Sequence, residues 1–191
     1  MAITRLYALC MLMILISLLG FITENVWLLI RKGYMDNRNM HLPFLLGYGM
    51  VVCSSYFILG IPGKFFPTSV YMSIVFSCVC LGEIIFGYVT QWYLGFSYWD
   101  YSSIPTHITK YTSVFTSMCF SIIITLFMGI CWEPLYDFFL DKASTFRVFR
   151  CFAVVTILFI DMNYSMYLMH KSKAPLSIWQ FEPKKDQRSW Q

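Results

Sequence analysis

One stretch decides the fold: TSVYMSIVFSCVCLGEIIFGYVTQWYL, residues 68–94, which is apolar over the length of a membrane-spanning helix. Glu83 is its only charged side chain. A carboxylate inside such a helix costs about 3 kcal/mol on insertion scales, so it usually faces the protein interior or a water-filled cavity. Trp99-Asp100-Tyr101-Ser102 follows shortly after the stretch. An aspartate flanked by aromatic residues there predicts an ordered loop that closes over the cavity.

The composition of the whole chain indicates a membrane protein. Of its 191 residues, 58% are hydrophobic and 13% are charged, whereas soluble globular chains carry about 25% charged residues. The net charge of +4 is small, and its excess lies in loops and the tail. That pattern suits anchoring at an anionic membrane surface better than nucleic-acid binding. The predicted fold class is therefore all-α, a polytopic helical membrane protein.

Hydropathy predicts five transmembrane helices. They cover residues 6–30, 44–61, 68–94, 111–132 and 146–169. Prolines fall where these helices are predicted to stop, and Pro134 is expected to end the fourth. We therefore predict a five-helix transmembrane domain over residues 1–170 and a polar, basic C-terminal tail over residues 171–191.

The distribution of basic residues predicts the orientation. An odd number of spans places the termini on opposite sides, and most lysines and arginines fall on the C-terminal side. The positive-inside rule then predicts a multi-pass cell-membrane protein with its N-terminus outside and its C-terminus in the cytoplasm. The first apolar run continues to Ile30, too long for a signal-peptide core, so we interpret it as a retained helix.

Three acidic residues lie within the predicted spans: Glu24, Glu83 and Asp161. Helical rise places each roughly 10–17 Å from the cytoplasmic end of its own helix, so all three occupy the same half of the bilayer. This common depth predicts one polar cavity that opens toward the cytoplasm. The alternative is a structural carboxylate, hydrogen-bonded or paired with Arg31 or Arg38.

The two cytoplasmic loops add polar groups. Arg38, beside Asn37 in the first loop, can bind a carboxylate or a phosphate with two hydrogen bonds. Asp100 in the second loop can orient Arg38 or receive a proton, although the aromatic residues around it also fit a membrane-interface belt. Three histidines lie on the same side, but their spacing matches no metal motif and we predict no metal site: His41, His107 and His170.

The chain carries no nucleotide-binding or hydrolytic motif. Gly63-Lys64 is followed by Phe65 instead of serine or threonine, so there is no P-loop. G-x-S-x-G and H-E-x-x-H are missing as well. An ATPase would have to be a separate subunit, and we expect no cofactor in this chain.

These residues resemble the pattern of the ABC-transporter type IV family of CmpB-like permeases. The pattern combines a glutamate in the first helix, an Asn-Arg loop, a Tyr-Gly pair, a later glutamate and a Trp-Asp-Tyr-Ser loop. This chain has them at Glu24, Asn37-Arg38, Tyr48-Gly49, Glu83 and residues 99–102. The resemblance covers roughly residues 15–135, and it implies a membrane fold and a permease role. Asn39 stands where the family usually has glycine, and His107 where asparagine is usual.

The candidate substrate-binding residues come from the depth argument, the loops and the resemblance together. They are Glu24, Asn37, Arg38, Tyr48, Glu83, Trp99, Asp100, Tyr101, Ser102 and His107.

Three functions fit these features. The first is a permease-like subunit in which Glu24 and Glu83 bind a cation or carry protons, while Arg38 and Asp100 gate the cytoplasmic mouth. The second is a membrane-embedded enzyme or lipid-binding protein, with these carboxylates and His107 as acid/base groups and Arg38 holding a phosphate. The third is a non-catalytic assembly partner that uses the serine and threonine repeat of the fourth predicted helix and the aromatic residues of the tail. We favour the first function. The chain is then expected to lie in the lipid bilayer, to form a homo- or hetero-oligomer and to work with a separate ATPase subunit. No nucleic-acid partner is expected.

Overall fold

The computed structural model describes residues 2–183 and shows a predominantly helical chain. Helix α1 covers Ala2–Lys32, α2 Leu46–Leu59, α3 Thr68–Leu94 and α5 Thr145–Ser172. Helix α4 runs continuously over Val114–Asp141. Each of the five predicted spans therefore contains one helix.

Three of these helices are long and apolar enough to cross a membrane: Ile3–Lys32, Thr68–Leu94 and Val114–Asp141. Helix α2 has 14 residues, which gives about 21 Å against a hydrocarbon core of about 30 Å. Helix α5 has 28 residues, but it carries arginines in its first half and an aspartate and a histidine in its second, and it is not among the three. The prediction of five transmembrane helices is therefore corrected to three, because it overlooked the short length of α2 and the polarity of α5.

Helix α4 differs from its prediction at both ends. It is α-helical over Val114–Leu126, forms a π-helical turn over Phe127–Cys131 and is α-helical again over Trp132–Asp141. Pro134 was expected to end the helix, but it lies in the first turn of the last segment. Proline has no N–H to donate within a helix, and the helix continues past it directly after the π-helical turn.

Helix α1 lies at the centre and packs against α2, α5 and the last part of α4, while α3 packs against α4. The largest cluster of buried apolar side chains joins the first four helices, and Trp132 at its end stacks on Tyr56 with ring centroids 4.6 Å apart. Large apolar side chains also cover the outer faces; Trp92 on α3 is 84% exposed. Such surfaces suit a lipid environment, since soluble proteins rarely expose apolar patches of this extent.

Two short antiparallel sheets order the loops. Strand β1, Met35–Asp36, pairs with β4, Gln180–Phe181, so part of the tail folds back on the α1–α2 loop. Strands β2, His107–Thr109, and β3, Thr112–Ser113, form a hairpin before α4. The remainder of the predicted tail, residues 184–191, lies outside the described residues.

Candidate functional site

Two carboxylates from different helices meet at one end of the bundle. Glu24 comes from α1 and Glu83 from α3, and the phenol of Tyr101 lies within electrostatic reach of both carboxylates. The group formed around them is called the carboxylate cluster below. Its members are Glu24, Arg38, Tyr48, Glu83, Tyr101, Thr112 and Ser117.

Glu24 is neutralised by an arginine. Arg38 Nη2 lies 2.9 Å from Glu24 Oε2, and the Tyr48 hydroxyl donates to Glu24 Oε1. The other guanidinium nitrogen, Nη1, lies 3.7 Å from Asp36 Oδ1. Burial alone would lower the pKa of Arg38, but the carboxylates of Glu24 and Asp36 outweigh it and the pKa is raised. Arg38 therefore stays charged at any physiological pH.

The backbone of the α1–α2 loop turns sharply to deliver Arg38. Arg38 and Asn39 have φ angles of 49° and 63°, in the left-handed region. The Arg38 N–H donates to Asp36 Oδ1 at 2.8 Å, which closes the turn from inside. Glycine and asparagine adopt this conformation more readily than other residues. Asn39 is thus a compatible replacement for the glycine that the family usually has there.

Asn37 serves the loop rather than the carboxylate cluster. It is 2% exposed, and its Nδ2 donates to the carbonyl of Leu176 at 2.9 Å. Its Oδ1 accepts from the N–H of Ile178 at 3.1 Å, while Asn39 Oδ1 accepts from the N–H of Leu176. Asn37 therefore fastens the tail to the loop that carries Arg38.

Glu83 has only hydroxyl partners. Its Oε2 accepts from Thr112 Oγ1 at 2.6 Å and from Ser117 Oγ at 2.8 Å. The phenol of Tyr101 lies nearby as a further neutral group. No ion pair to Glu83 is formed within residues 2–183. Two carboxylates at similar depth are thus held in opposite ways, one by a cation and one by neutral donors.

On each helix that carries a carboxylate of the cluster, one glycine leaves room for a tyrosine ring. A Cβ at Gly20 would lie 2.7 Å from Tyr48 Cγ, and a Cβ at Gly87 would lie 2.2 Å from Tyr111 Cγ. Both contacts are far inside van der Waals distance, so these two rings can reach their positions only against glycine. Tyr111 directly precedes Thr112 and so sets the position of a Glu83 partner.

The other residues of the Trp-Asp-Tyr-Ser motif shape the α3–α4 loop. Trp99 Nε1 donates to the carbonyl of Tyr111 at 2.8 Å. Asp100 is exposed and accepts from the Ser102 N–H at 2.7 Å. Hydrogen bonds from the Ser102 side chain and backbone lower the pKa of Asp100. His107 Nδ1 lies 2.8 Å from the carbonyl oxygen of Ile104. Of the motif, Tyr101 is the residue that reaches the carboxylates.

Sequence reasoning missed three residues around the site. Thr112 belongs to no motif, and Ser117 is part of a serine and threonine repeat on α4 that signals helix packing as well as hydrogen bonding. The Tyr98 hydroxyl donates to the carbonyl of Arg38 at 3.3 Å, and burial raises the pKa of Tyr98 to about 12. It directly precedes Trp99 in an aromatic-rich loop, which is why it fitted a membrane-interface belt.

Asp161, the third acid of the predicted group, forms a contact of its own. Its Oδ1 lies 3.1 Å from His41 Nδ1, and its Oδ2 accepts from the Leu42 N–H at 3.1 Å. Ser165 Oγ lies 2.9 Å from the same His41 nitrogen. A catalytic relay needs the two imidazole nitrogens to contact different partners, so this group is a link between the α1–α2 loop and α5.

Two surface grooves lie elsewhere on the molecule. One of about 430 Å³ is lined by residues 69–81 of α3, and one of about 370 Å³ by residues 56–66. Neither groove contains a residue of the carboxylate cluster. Within residues 2–183, no three histidine, cysteine or acidic side chains are placed to hold a metal ion.

Five of the seven residues of the carboxylate cluster also carried the family resemblance: Glu24, Arg38, Tyr48, Glu83 and Tyr101. A family model described as "Putative ABC-transporter type IV" matches residues 11–166, which include the whole cluster. The chain belongs to this family. The resemblance seen in the sequence is thereby confirmed. Membership of the ABC-transporter type IV family and the three apolar helices indicate a transport-related membrane protein. No curated protein and no solved structure matches the chain.

Proposed function

We propose that this chain is a permease-like subunit that binds or translocates a small solute at the carboxylate cluster. The observation that carries the proposal is the meeting of Glu24 and Glu83, from two separate membrane helices, around Tyr101. Ionisable residues inside membrane helices are rare and usually mark a binding or transport path.

Stability alone gives little reason for such a cluster. Buried ion pairs often stabilise a protein no better than apolar residues of the same volume, because desolvation offsets their attraction. The bundle already has a continuous apolar core that extends to Trp132, with Tyr48 of the cluster packed against it. A binding role explains why charged residues occupy these positions, although apolar side chains would pack there equally well. The residues are Glu24, Arg38 and Glu83.

Arg38 is placed to gate the site. It reaches Glu24 from a loop and not from a membrane helix, and that loop is held by the tail through Asn37. A shift of the loop would withdraw the guanidinium and expose Glu24 without disturbing helix packing. Asp100 does not share this role, because its hydrogen bonds lie within its own turn.

Orientation and partners are part of the proposal. Strand β4 of the tail pairs with β1 directly after α1, at the opposite end of that helix from Ala2, so this end is cytoplasmic if the basic residues follow the positive-inside rule. A separate ATPase subunit supplies the nucleotide hydrolysis for which this chain has no P-loop. A second copy or another subunit completes the pathway together with this chain.

The enzyme and assembly alternatives receive less support. The enzyme alternative needs Asp100 and His107 beside the carboxylates, yet both are hydrogen-bonded within the α3–α4 loop. For assembly, Trp179 packs against Phe21 of the same chain with ring centroids 6.4 Å apart. Trp190, the last tryptophan of the tail, lies outside the described residues.

The test is native mass spectrometry of the full chain purified in lipid nanodiscs. We expect a small solute to be retained by the wild type and by Asp100→Asn, which alters an exposed carboxylate of the neighbouring loop. Glu24→Gln combined with Glu83→Gln should lose it. Equal retention by the double variant, or no retained solute in the wild type with its subunits present, would contradict the proposal.

A further inference from the structure

We propose that the Glu83 half of the carboxylate cluster is a proton-binding site, in which the proton is held between Glu83, Thr112 and Ser117. This deepens the proposed function and rests on it for what the proton is coupled to. Three features of the site support the proposal: the missing counter-charge, the number of protons that the oxygens require and the size of the space between them.

The first feature is the lack of a counter-charge for Glu83. The single arginine of the cluster is engaged by Glu24 and by Asp36, which together already exceed its charge. An ionised Glu83 would add another negative charge within reach of Glu24. An unpaired charge at this depth of a membrane is expensive, and protonation is the usual way for a carboxyl group to avoid it.

The second feature is the number of protons that the three oxygens require. Three oxygens form a closed triangle: Glu83 Oε2 to Thr112 Oγ1 is 2.6 Å, Glu83 Oε2 to Ser117 Oγ is 2.8 Å, and Thr112 Oγ1 to Ser117 Oγ is 3.0 Å. Three hydrogen bonds need three protons, and the two hydroxyl groups supply two. With Glu83 ionised, both of these point at its oxygen and the Thr112–Ser117 contact is left with lone pairs only.

A proton on Glu83 completes the triangle. Glu83 then donates to Thr112, Thr112 donates to Ser117, and Ser117 donates back to Glu83, so each edge carries one proton. Thr112 and Ser117 are fully buried, so bulk water has no access to supply the third one. Tyr101 is not one of the three oxygens of the triangle, so its phenol leaves this count unchanged.

The surrounding ionisable groups leave this role to Glu83. Glu24 on α1 is paired with Arg38 from the α1–α2 loop and with Tyr48 on α2. Tyr101 comes from the α3–α4 loop, and burial raises its pKa further above the usual tyrosine range, so it stays neutral at physiological pH. Thr112 and Ser117 do not titrate in that range.

The size of the space argues for a proton over a metal cation. Protein oxygens that bind a metal ion stand 2.0–2.6 Å from it and therefore lie about 2.8 Å or more from one another in octahedral geometry. The edge between Glu83 and Thr112 is shorter than that, at 2.6 Å. These oxygens are in hydrogen-bond contact and leave room for a proton alone.

The test is infrared difference spectroscopy of the full chain in lipid nanodiscs, in H₂O and in D₂O. At pH 7 we expect the carbonyl band of a protonated carboxylic acid that shifts in D₂O. It should vanish in Glu83→Gln, persist in Glu24→Gln and change frequency in Ser117→Ala. The last variant keeps the proposal testable if Glu83→Gln does not fold.

Three outcomes would overturn the proposal: no such band in the wild type at pH 7, a band that follows Glu24, or a band that Ser117→Ala leaves unmoved. Loss of the band on adding sodium or potassium chloride would assign the site to a metal cation instead and overturn it as well. The measurement uses no solute. A Glu83 band in a protein that retains no solute would therefore refute the permease role and keep the proton site.

Discussion

Glu24 on α1 and Glu83 on α3 are two carboxylates of the same cluster, and their hydrogen-bond partners differ in kind. Glu24 has a guanidinium from a loop, whereas Glu83 has hydroxyls from the start of α4 and the strand before it. Burial alone therefore does not decide whether a carboxyl group in a membrane is ionised or protonated. A cation within reach favours the ionised form, and a ring of neutral donors with one proton missing favours the acid.

The largest effect should come from removing the cation. Arg38→Ala leaves Glu24, whose side chain is 18% exposed, without its counter-charge. Breaking a buried pair in this way typically costs about 3–5 kcal/mol. We expect a loss of that size in the free energy of unfolding, measured by reversible denaturant titration in lipid.

Arg31→Ala is the matched control. Arg31 lies at the end of α1 with its guanidinium over the ring of Trp27, 5.5 Å from the centroid, and it is exposed. Its loss should cost under about 1 kcal/mol. Equal losses for the two arginines would mean that Glu24 does not depend on Arg38 for its charge.

An intermediate effect should come from replacing either of the two glycines that lie against tyrosine rings. Gly20→Ala pushes against Tyr48 on the Glu24 side, and Gly87→Ala pushes against Tyr111 on the Glu83 side. Overpacking of this kind usually costs about 1–3 kcal/mol. The same denaturant titration measures both.

The glycine variants also separate the two carboxylates. Gly87→Ala should move the infrared band of Glu83, because Tyr111 adjoins Thr112, and Gly20→Ala should leave it in place. Gly82→Ala is the control on the same helix as Gly87, since nothing lies within 4 Å of its Cβ position. If Gly20→Ala moved the band as far as Gly87→Ala, the two halves of the cluster would be one coupled unit.

The smallest effect should come from Asp100→Asn. Hydrogen bonds from Ser102 lower the pKa of Asp100 in the folded protein. Its stabilisation is therefore present above the unfolded pKa of about 3.9 and is lost as pH falls through the lower folded value. Since the carboxylate is exposed, we expect the variant to lose less than about 1 kcal/mol at pH 7.

The pH dependence gives the check on this last prediction. Unfolding titrations at neutral pH and at decreasing pH below about 4 should show variant and wild type converging. A difference that widens toward acid pH would reverse the sign and contradict the role given to Ser102.

Several features followed from the sequence because they depend on local order. Helix α3 has the predicted bounds, Thr68–Leu94, since its apolar run is bounded by Pro67 and by Gly95, whose φ of 83° ends the helix. Glu24, Arg38 and Glu83 were recognised because charged residues are rare in this chain and stand out against apolar neighbours. Family membership followed from the same residues.

The sequence by itself thus determined the membrane class, the positions of the helices and the acids that meet in the cluster. Tertiary structure alone decided that Arg38 pairs with Glu24, that Thr112 and Ser117 surround Glu83, and that Asn37 holds the tail. The physical reason is that hydropathy and helix signals act over a few neighbouring residues. The partner of a buried carboxylate is instead chosen by packing between segments far apart in the chain, as Asn37 and Leu176 show.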